Sequence, residues 1–435
     1  MARVVVIGGG FGGLASALRL AKLGHAVTLV DEREPGGALT PVTTDGFAWD
    51  TVTHTLLPAV VRDLFRKTGR ALDQELDLVQ LDCLREHWFA DGTSLVLPAG
   101  RAQQLQAFDT LDTGKGAGLG ERWVAHVAAY ADDWEVLRRE YAEVPWDPDH
   151  LSPALAARLE SRETLHRRLR KALRDERLRL VAGFPFTVDG HDLRAVPAWA
   201  GLTAYLEQRF GAWAVAGGTG LLRDTLVGRL STRRVEVVRA RAADVVVRAG
   251  RAAAVATSAG EIDADVVVCA VDPRGLPALA AYVARTMPAI PAATTYLGLA
   301  GEVRDLPHEL VVHGDPVLVV RTAGRAPDGH HAWTVSARGT GGEDPLVALA
   351  RHGLDVRDQV VTRLDRSPRE LVEQWGGSPL GVQWEGRATV RRRLGPRTPV
   401  AGVYAAGAHA TPGAGLPFVG LSAALVAQTV GPAER

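Results

Sequence analysis

Near the start of the chain, Gly8, Gly10 and Gly13 are spaced as G-x-G-x-x-G between a valine run and a leucine-rich run. That spacing suits a dinucleotide. The first glycine allows a tight turn, the second lets backbone approach a pyrophosphate, and the third lets a helix pack closely on a strand. The helix N-terminus that follows favours the phosphate's negative charge. Asp31 ends the next apolar run, about 20 residues on, where a carboxylate accepts from a ribose hydroxyl. The chemistry these residues point to is dinucleotide binding and the redox chemistry it serves.

The elements that must position them follow from the pattern. Val4–Ile7 is a short apolar run ending in glycine, as in a buried parallel strand. Leu14, Leu18, Leu20 and Leu23 suit a helix with one buried face, and Ala26–Val30 is a second strand. Together they make a βαβ unit. Trp88-Phe89 and Ser94–Leu97 flank Asp91-Gly92, which predicts a β-hairpin. Trp123, Val127, Tyr130, Trp134, Leu137 and Tyr141 recur at helical steps, and Leu165, Leu169 and Leu173 predict another helix with a basic outer face. Strands are expected again at 235–238, 245–247, 252–257, 266–269, 316–320, 331–336 and 403–405, before a closing helix from about Ala414 to Val430. Nucleotide-binding pieces thus stand at the start, middle and end of the chain, and a second domain must be inserted between them.

Composition removes other classes. Lys+Arg and Asp+Glu are both 50, so no global field steers the chain to nucleic acid. The two cysteines, Cys83 and Cys269, lie far apart and form no metal or dithiol motif, so no metal is expected. With neither a signal peptide nor an uncharged apolar stretch of membrane-spanning length, the reading is cytoplasmic.

The segment Arg33-Glu34-Pro35-Gly36-Gly37-Ala38 resembles the second glycine motif of the flavoprotein superfamily that includes amine oxidases, phytoene desaturases and Rab GDP-dissociation inhibitors. Four further segments narrow the resemblance to the phytoene (carotenoid) desaturase family. They are Gly46-Phe47-Ala48-Trp49-Asp50-Thr51, Gly217-Gly218, Asp265–Pro273, and Gly402–Ala408 with Pro412–Pro417. The matches run through the whole chain in order. The resemblance implies an α/β fold: a Rossmann-type FAD-binding domain (1–60, 211–275 and 385–435) with an inserted α+β substrate domain (61–210 and 276–384). It implies FAD contacts from Gly8, Gly10, Phe11, Gly12, Gly13, Asp31, Glu32, Arg33, Gly36, Gly37, Ala38 and Leu39. Further on it implies Ala243 beside the adenine, then Ala270, Gly407, Ala408, Gly415, Leu416 and Pro417. Departures are Ala38 in place of the family's arginine, Val52-Thr53 for Gly-Pro, Thr411 for His, and Phe418 for a small residue. Ala408, where amine oxidases carry an acid, agrees with the desaturases.

Other residues have two readings. His54 either faces the flavin and shuttles a proton or is a structural histidine. His409 is a weaker candidate of the same kind. Phe418, Trp199 and Trp213 either line an apolar substrate cavity or are plain core. The Leu/Arg helix near 165–180 either meets a membrane surface, a peripheral contact, or is a solvated basic face. No catalytic triad is evident or needed, because the cofactor takes the electrons. The expected function is FAD-dependent dehydrogenation of a hydrophobic small molecule such as a carotenoid, terpenoid or related lipid. A flavin-dependent isomerase or tailoring oxidase, and a flavin-free prenyl- or lipid-binding carrier, remain alternatives.

Overall fold

The computed structural model describes residues 1–111, 118–339 and 342–434. The first valine run forms the strand Arg3–Ile7, with every residue after Arg3 buried. It is the middle of a five-stranded sheet, ordered Val403–Ala405, Val266–Cys269, Arg3–Ile7, Ala26–Asp31, Glu236–Arg239. All four pairings are parallel, with Val4 opposite Val266 and Arg3 opposite Ala26. Alternate side chains enter different cores. Val4 and Val6 pack with Leu14, Leu18 and the closing helix, while Val5 and Ile7 pack with Val245, Val255 and Leu279. A strand buried on both faces needs apolar residues without a break, as this run provides.

The expected helix follows as Phe11–Lys22, and the closing helix as Leu416–Val430. The hairpin forms from Cys83–Trp88 and Ser94–Pro98 and joins a seven-stranded sheet with five strands from residues 293–366. One face of that sheet presents Leu297, Leu299, Leu310 and Val320 to the helix Pro345–Arg351. The other carries buried Arg85, His87 and Glu309.

Short helices between Arg101 and Phe210 enclose the largest apolar cluster, which includes Trp123, Tyr130, Leu165 and Leu169. Their starts are capped: Ser152, Thr164 and Asp175 each accept a bond from a backbone N–H of the first turn. The basic helix stops at Ala172, because Leu173 turns extended and Asp175 caps a new helix, Glu176–Thr187. Leu165, Leu169 and Leu173 are all at most 1% exposed. Burying each contributes roughly 1.5–3 kcal/mol. The apolar face of that helix is spent on the core, and Arg168 on its basic side is paired with Asp133 and Glu163. Among the described residues no helix is long and apolar enough to cross a membrane.

Candidate functional site: a dinucleotide cavity at the carboxyl ends of the parallel sheet

Parallel strands that end together leave a crevice outside their carboxyl ends. Here it is a cavity of about 370 Å³. The first strand and helix supply Gly8, Gly10, Phe11 and Gly12; the second strand supplies Asp31, Glu32 and Arg33. Gly37, Ala38 and Leu39 close one side, and Gly407, Ala408, Gly415 and Leu416 another.

The glycines earn their places in different ways. Gly8 is left-handed, at φ +99°, so the chain turns sharply off the strand. A Cβ on Gly13 would overlap the Gly8 carbonyl oxygen, and one on Gly12 would lie 2.7 Å from the Gly407 Cα. Those two positions let the helix sit against its neighbours. A Cβ on Gly10 would meet nothing within 4 Å, because Gly10 fronts the open cavity.

Two helices begin at this cavity. The helix Phe11–Lys22 starts after Gly10 and the helix Leu416–Val430 after Gly415, and neither has a side-chain cap or an acid in its first turn. Their first N–H groups therefore lack a side-chain acceptor and carry the positive end of the helix dipole. An anionic ligand with its charge spread over a pyrophosphate and a ring fits such a wall. Asp31 ties the motif together: its carboxylate accepts from Gly9 N–H at 2.6 Å and from Arg33 N–H at 2.8 Å. Gly36 N–H donates to the Gly9 carbonyl, which locks the second glycine turn onto the first.

Most of the residues expected at the cofactor are brought together. Gly13, Gly36 and Pro417 are not on the wall, although each stands one residue from it. Gly13 serves packing, Gly36 (φ +150°) serves the turn, and Pro417 is the buried second residue of the closing helix. Ala243 is a correction: it is exposed, and the wall is formed instead by Ala240, Arg241 and Ala242, with Ala270 beside them. Side chains alternate along the strand Ala242–Arg248, so a one-residue slip reverses the face. Arg33 and Arg241 reach the wall and bring cationic groups that Ala38 lacks.

The sequence missed Trp375, Gly376 and Gly377, which border the cavity from far along the chain. Arg33 fastens that segment by donating to the Glu373 carbonyl at 2.7 Å. His409 was also undervalued as a loop residue. It is 7% exposed, borders the cavity with Nδ1 3.9 Å from Asp272, and is held below its usual pKa by burial. Position inside a glycine-rich signature was the one signal available.

The other candidates are not brought to this wall. His54 lies among His308 and the Glu309–Arg85 pair, and burial pushes it down to about 4. It is neutral at pH 7 and is not among the residues that line the cavity. None of the three aromatics lines this cavity, and they are not brought together on one wall. Trp213 sits half-buried on a two-stranded sheet, its Nε1 donating to the Phe210 carbonyl. Phe418 packs on the helical core, and Trp199 borders a separate cleft of about 170 Å³ with Arg158 and Arg168. Aromatic residue type alone does not say which core a ring joins. Among the described residues no group of three or more ligand-type side chains could hold a metal.

Comparison with known proteins agrees with this site. Residues 6–68 match the NAD(P)-binding Rossmann-like domain model. Over 286 residues the chain is 31% identical to a zeta-carotene-forming phytoene desaturase of Myxococcus xanthus, a match covering 62% of this chain and 53% of that protein. The matched stretch thus spans about half of that relative's length. With the hydroxyneurosporene desaturase of Cereibacter sphaeroides the identity is 28%, covering 98% of this chain and 97% of the relative. In fold, the chain is similar to cyclohexylamine oxidase from Brevibacterium oxydans, with TM-score 0.67, 16% identity and 99% of each chain covered.

Proposed function

We propose, from the premise that this chain is a relative of the carotenoid desaturases, that it is an FAD-dependent oxidoreductase desaturating an apolar isoprenoid. The observation that carries the reading is the pair of uncapped helix N-termini at one glycine-walled cavity. Bound FAD supplies the acceptor for a hydride from the substrate.

The protein's own part is to hold and to bias. The N–H groups of the turn Gly8–Gly12 would hold the pyrophosphate, and Asp31 or Glu32 would accept from the ribose. The helix N-terminus at Gly415-Leu416 would help hold the cofactor and would favour negative charge on it. Arg33 and Arg241 offset phosphate charge. His54, half-buried and neutral, is not assigned a catalytic role.

The FAD-binding part is proposed to comprise 1–60, 211–275 and 385–435, and the substrate part 61–210 and 276–384. Exposed Tyr282, Met287 and Ile290, close together in sequence, are where a membrane would hand over an apolar substrate. The test is anaerobic mixing of the FAD-loaded protein with phytoene or neurosporene in liposomes. Bleaching of the flavin band with a longer polyene chromophore supports the reading. Substrate conversion without bleaching would replace it with a redox-neutral isomerase.

A further inference from the structure

Behind the loop that carries Gly415 to the cavity lies a buried arginine with no carboxylate. Arg393 is 8% exposed, and among the described residues no acid pairs with it. Nη1 donates to the Pro412 carbonyl and Nη2 to the Val382 carbonyl, both at a long 3.3 Å, while Nε has no acceptor. Its guanidinium lies 4.5 Å from the ring centre of Trp384. A Cβ on Gly413 (φ +139°) would lie 2.9 Å from Nη1, so the loop approaches this cation as only glycine permits.

Other polar groups converge there without satisfying one another. The Tyr141 hydroxyl lies near both Arg393 and Thr411 but meets hydrogen-bond geometry with neither, and Thr411 Oγ1 is likewise unpartnered. Tyr141 is 3% exposed and Thr411 0%. Around them stand Trp146 and Trp199 at ring-centre distances of 5.2 and 6.3 Å from Tyr141, each with its Nε1–H buried and unused. Trp199 also contacts Trp384 and borders the 170 Å³ cleft.

A buried cation beside unused hydroxyl and indole donors costs several kcal/mol unless something accepts from them. All of these groups can donate, and none among the described residues is an anion. We infer that Arg393, Tyr141 and Thr411 form a binding site for a carboxylate at the end of the apolar substrate, whose chain lies along Trp146, Trp199 and Trp384. Burial pushes Arg393 below and Tyr141 above their usual values, which an incoming carboxylate would reverse for the arginine. This deepens the desaturase reading and rests on it for the reaction: it adds a terminal carboxylate to the apolar isoprenoid of that reading.

The test is calorimetric titration of the FAD-loaded protein with geranylgeranoic acid and with geranylgeraniol, which differ in the terminal group. The acid is expected to bind at least about tenfold tighter, the effect of one charge-assisted contact. Arg393→Gln should erase that preference. Tyr141→Phe and Thr411→Val, which keep the shape and the arginine, should each reduce the preference about threefold and serve if Arg393→Gln does not fold. Equal affinity for acid and alcohol, or a preference that survives all three changes, overturns the proposal; the site then holds ordered water only. The readout is heat of binding and not turnover, so loss of the acid preference with flavin bleaching retained fails this inference alone, while a preference for the acid with no bleaching fails the desaturase reading alone.

Discussion

The two sheets deal with buried polarity in opposite ways. At the end of the five-stranded sheet the polar groups are backbone N–H, exposed by glycine and by helix starts without caps, and left for a ligand. On the seven-stranded sheet they are whole side chains, bound to one another. Arg85 is clasped by Glu207 and Glu309, Glu309 also accepts from Arg321 at 2.8 Å, and His87 Nδ1 lies 2.9 Å from His313 Nε2. The first arrangement tolerates no side chain where backbone must approach. The second tolerates no loss of a partner. One site is therefore sensitive in binding and the other in folding, and substitutions can separate the two.

The largest effect is expected at the ion pairs. Glu309→Ala leaves Arg85 and Arg321 without a shared acceptor in the interior, and should cost roughly 3–5 kcal/mol in chemical unfolding. If this variant instead keeps its stability and loses only cofactor, the contrast between the sheets is wrong. Next comes Gly10→Val, which projects into open cavity and should leave the unfolding midpoint nearly unchanged while weakening FAD binding about 100-fold, or ~2.7 kcal/mol. Fluorescence titration with FAD measures it. Asp31→Asn keeps the shape but weakens the acceptor for Gly9 and Arg33, and should cost about tenfold in the same titration.

A pH series sharpens the comparison further. Burial pushes His54 and His313 to about 4, below their unfolded value near 6.5. Between those values the unfolded chain binds more protons, so stability is full above about pH 6.5 and falls as pH drops toward 4. Asp189, raised to about 6 by burial, opposes this by gaining stability on acidification over part of the range. The histidines outnumber it, so stability should fall between pH 7 and pH 5, by roughly 2 kcal/mol per histidine before the opposing gain from Asp189, and the melting temperature should fall with it. The smallest effect is expected at Trp213. Half-buried and away from both polar arrangements, Trp213→Phe should change stability by less than about 1 kcal/mol and FAD affinity not at all.

The same contrast explains what the sequence disclosed. A backbone cradle needs specific glycines at fixed spacing, so Gly8, Gly10, Gly13 and the Gly36-Gly37 pair were legible along with the strands that carry them. Val4–Ile7 and Val266–Cys269 were legible because strands buried on both faces are apolar without interruption. The seven-stranded sheet pairs residues more than 200 positions apart, such as Leu310 with Glu86, and no local signal announces that. Arg85, Glu207 and Glu309 come from three separate elements, so their pairing could not be read from any one window. His54, Trp199 and Trp213 were chosen by residue type, and type does not encode direction. Ala243 failed by a single position, the error that strand alternation punishes most.

The claim that the cavity at the carboxyl ends of the parallel strands holds FAD is tested most directly on the purified protein's visible absorption spectrum, followed by heat denaturation and chromatography of the supernatant. The account predicts a yellow protein that releases intact FAD in a one-to-one ratio. A colourless protein that is folded by circular dichroism yet takes up no added FAD would contradict it.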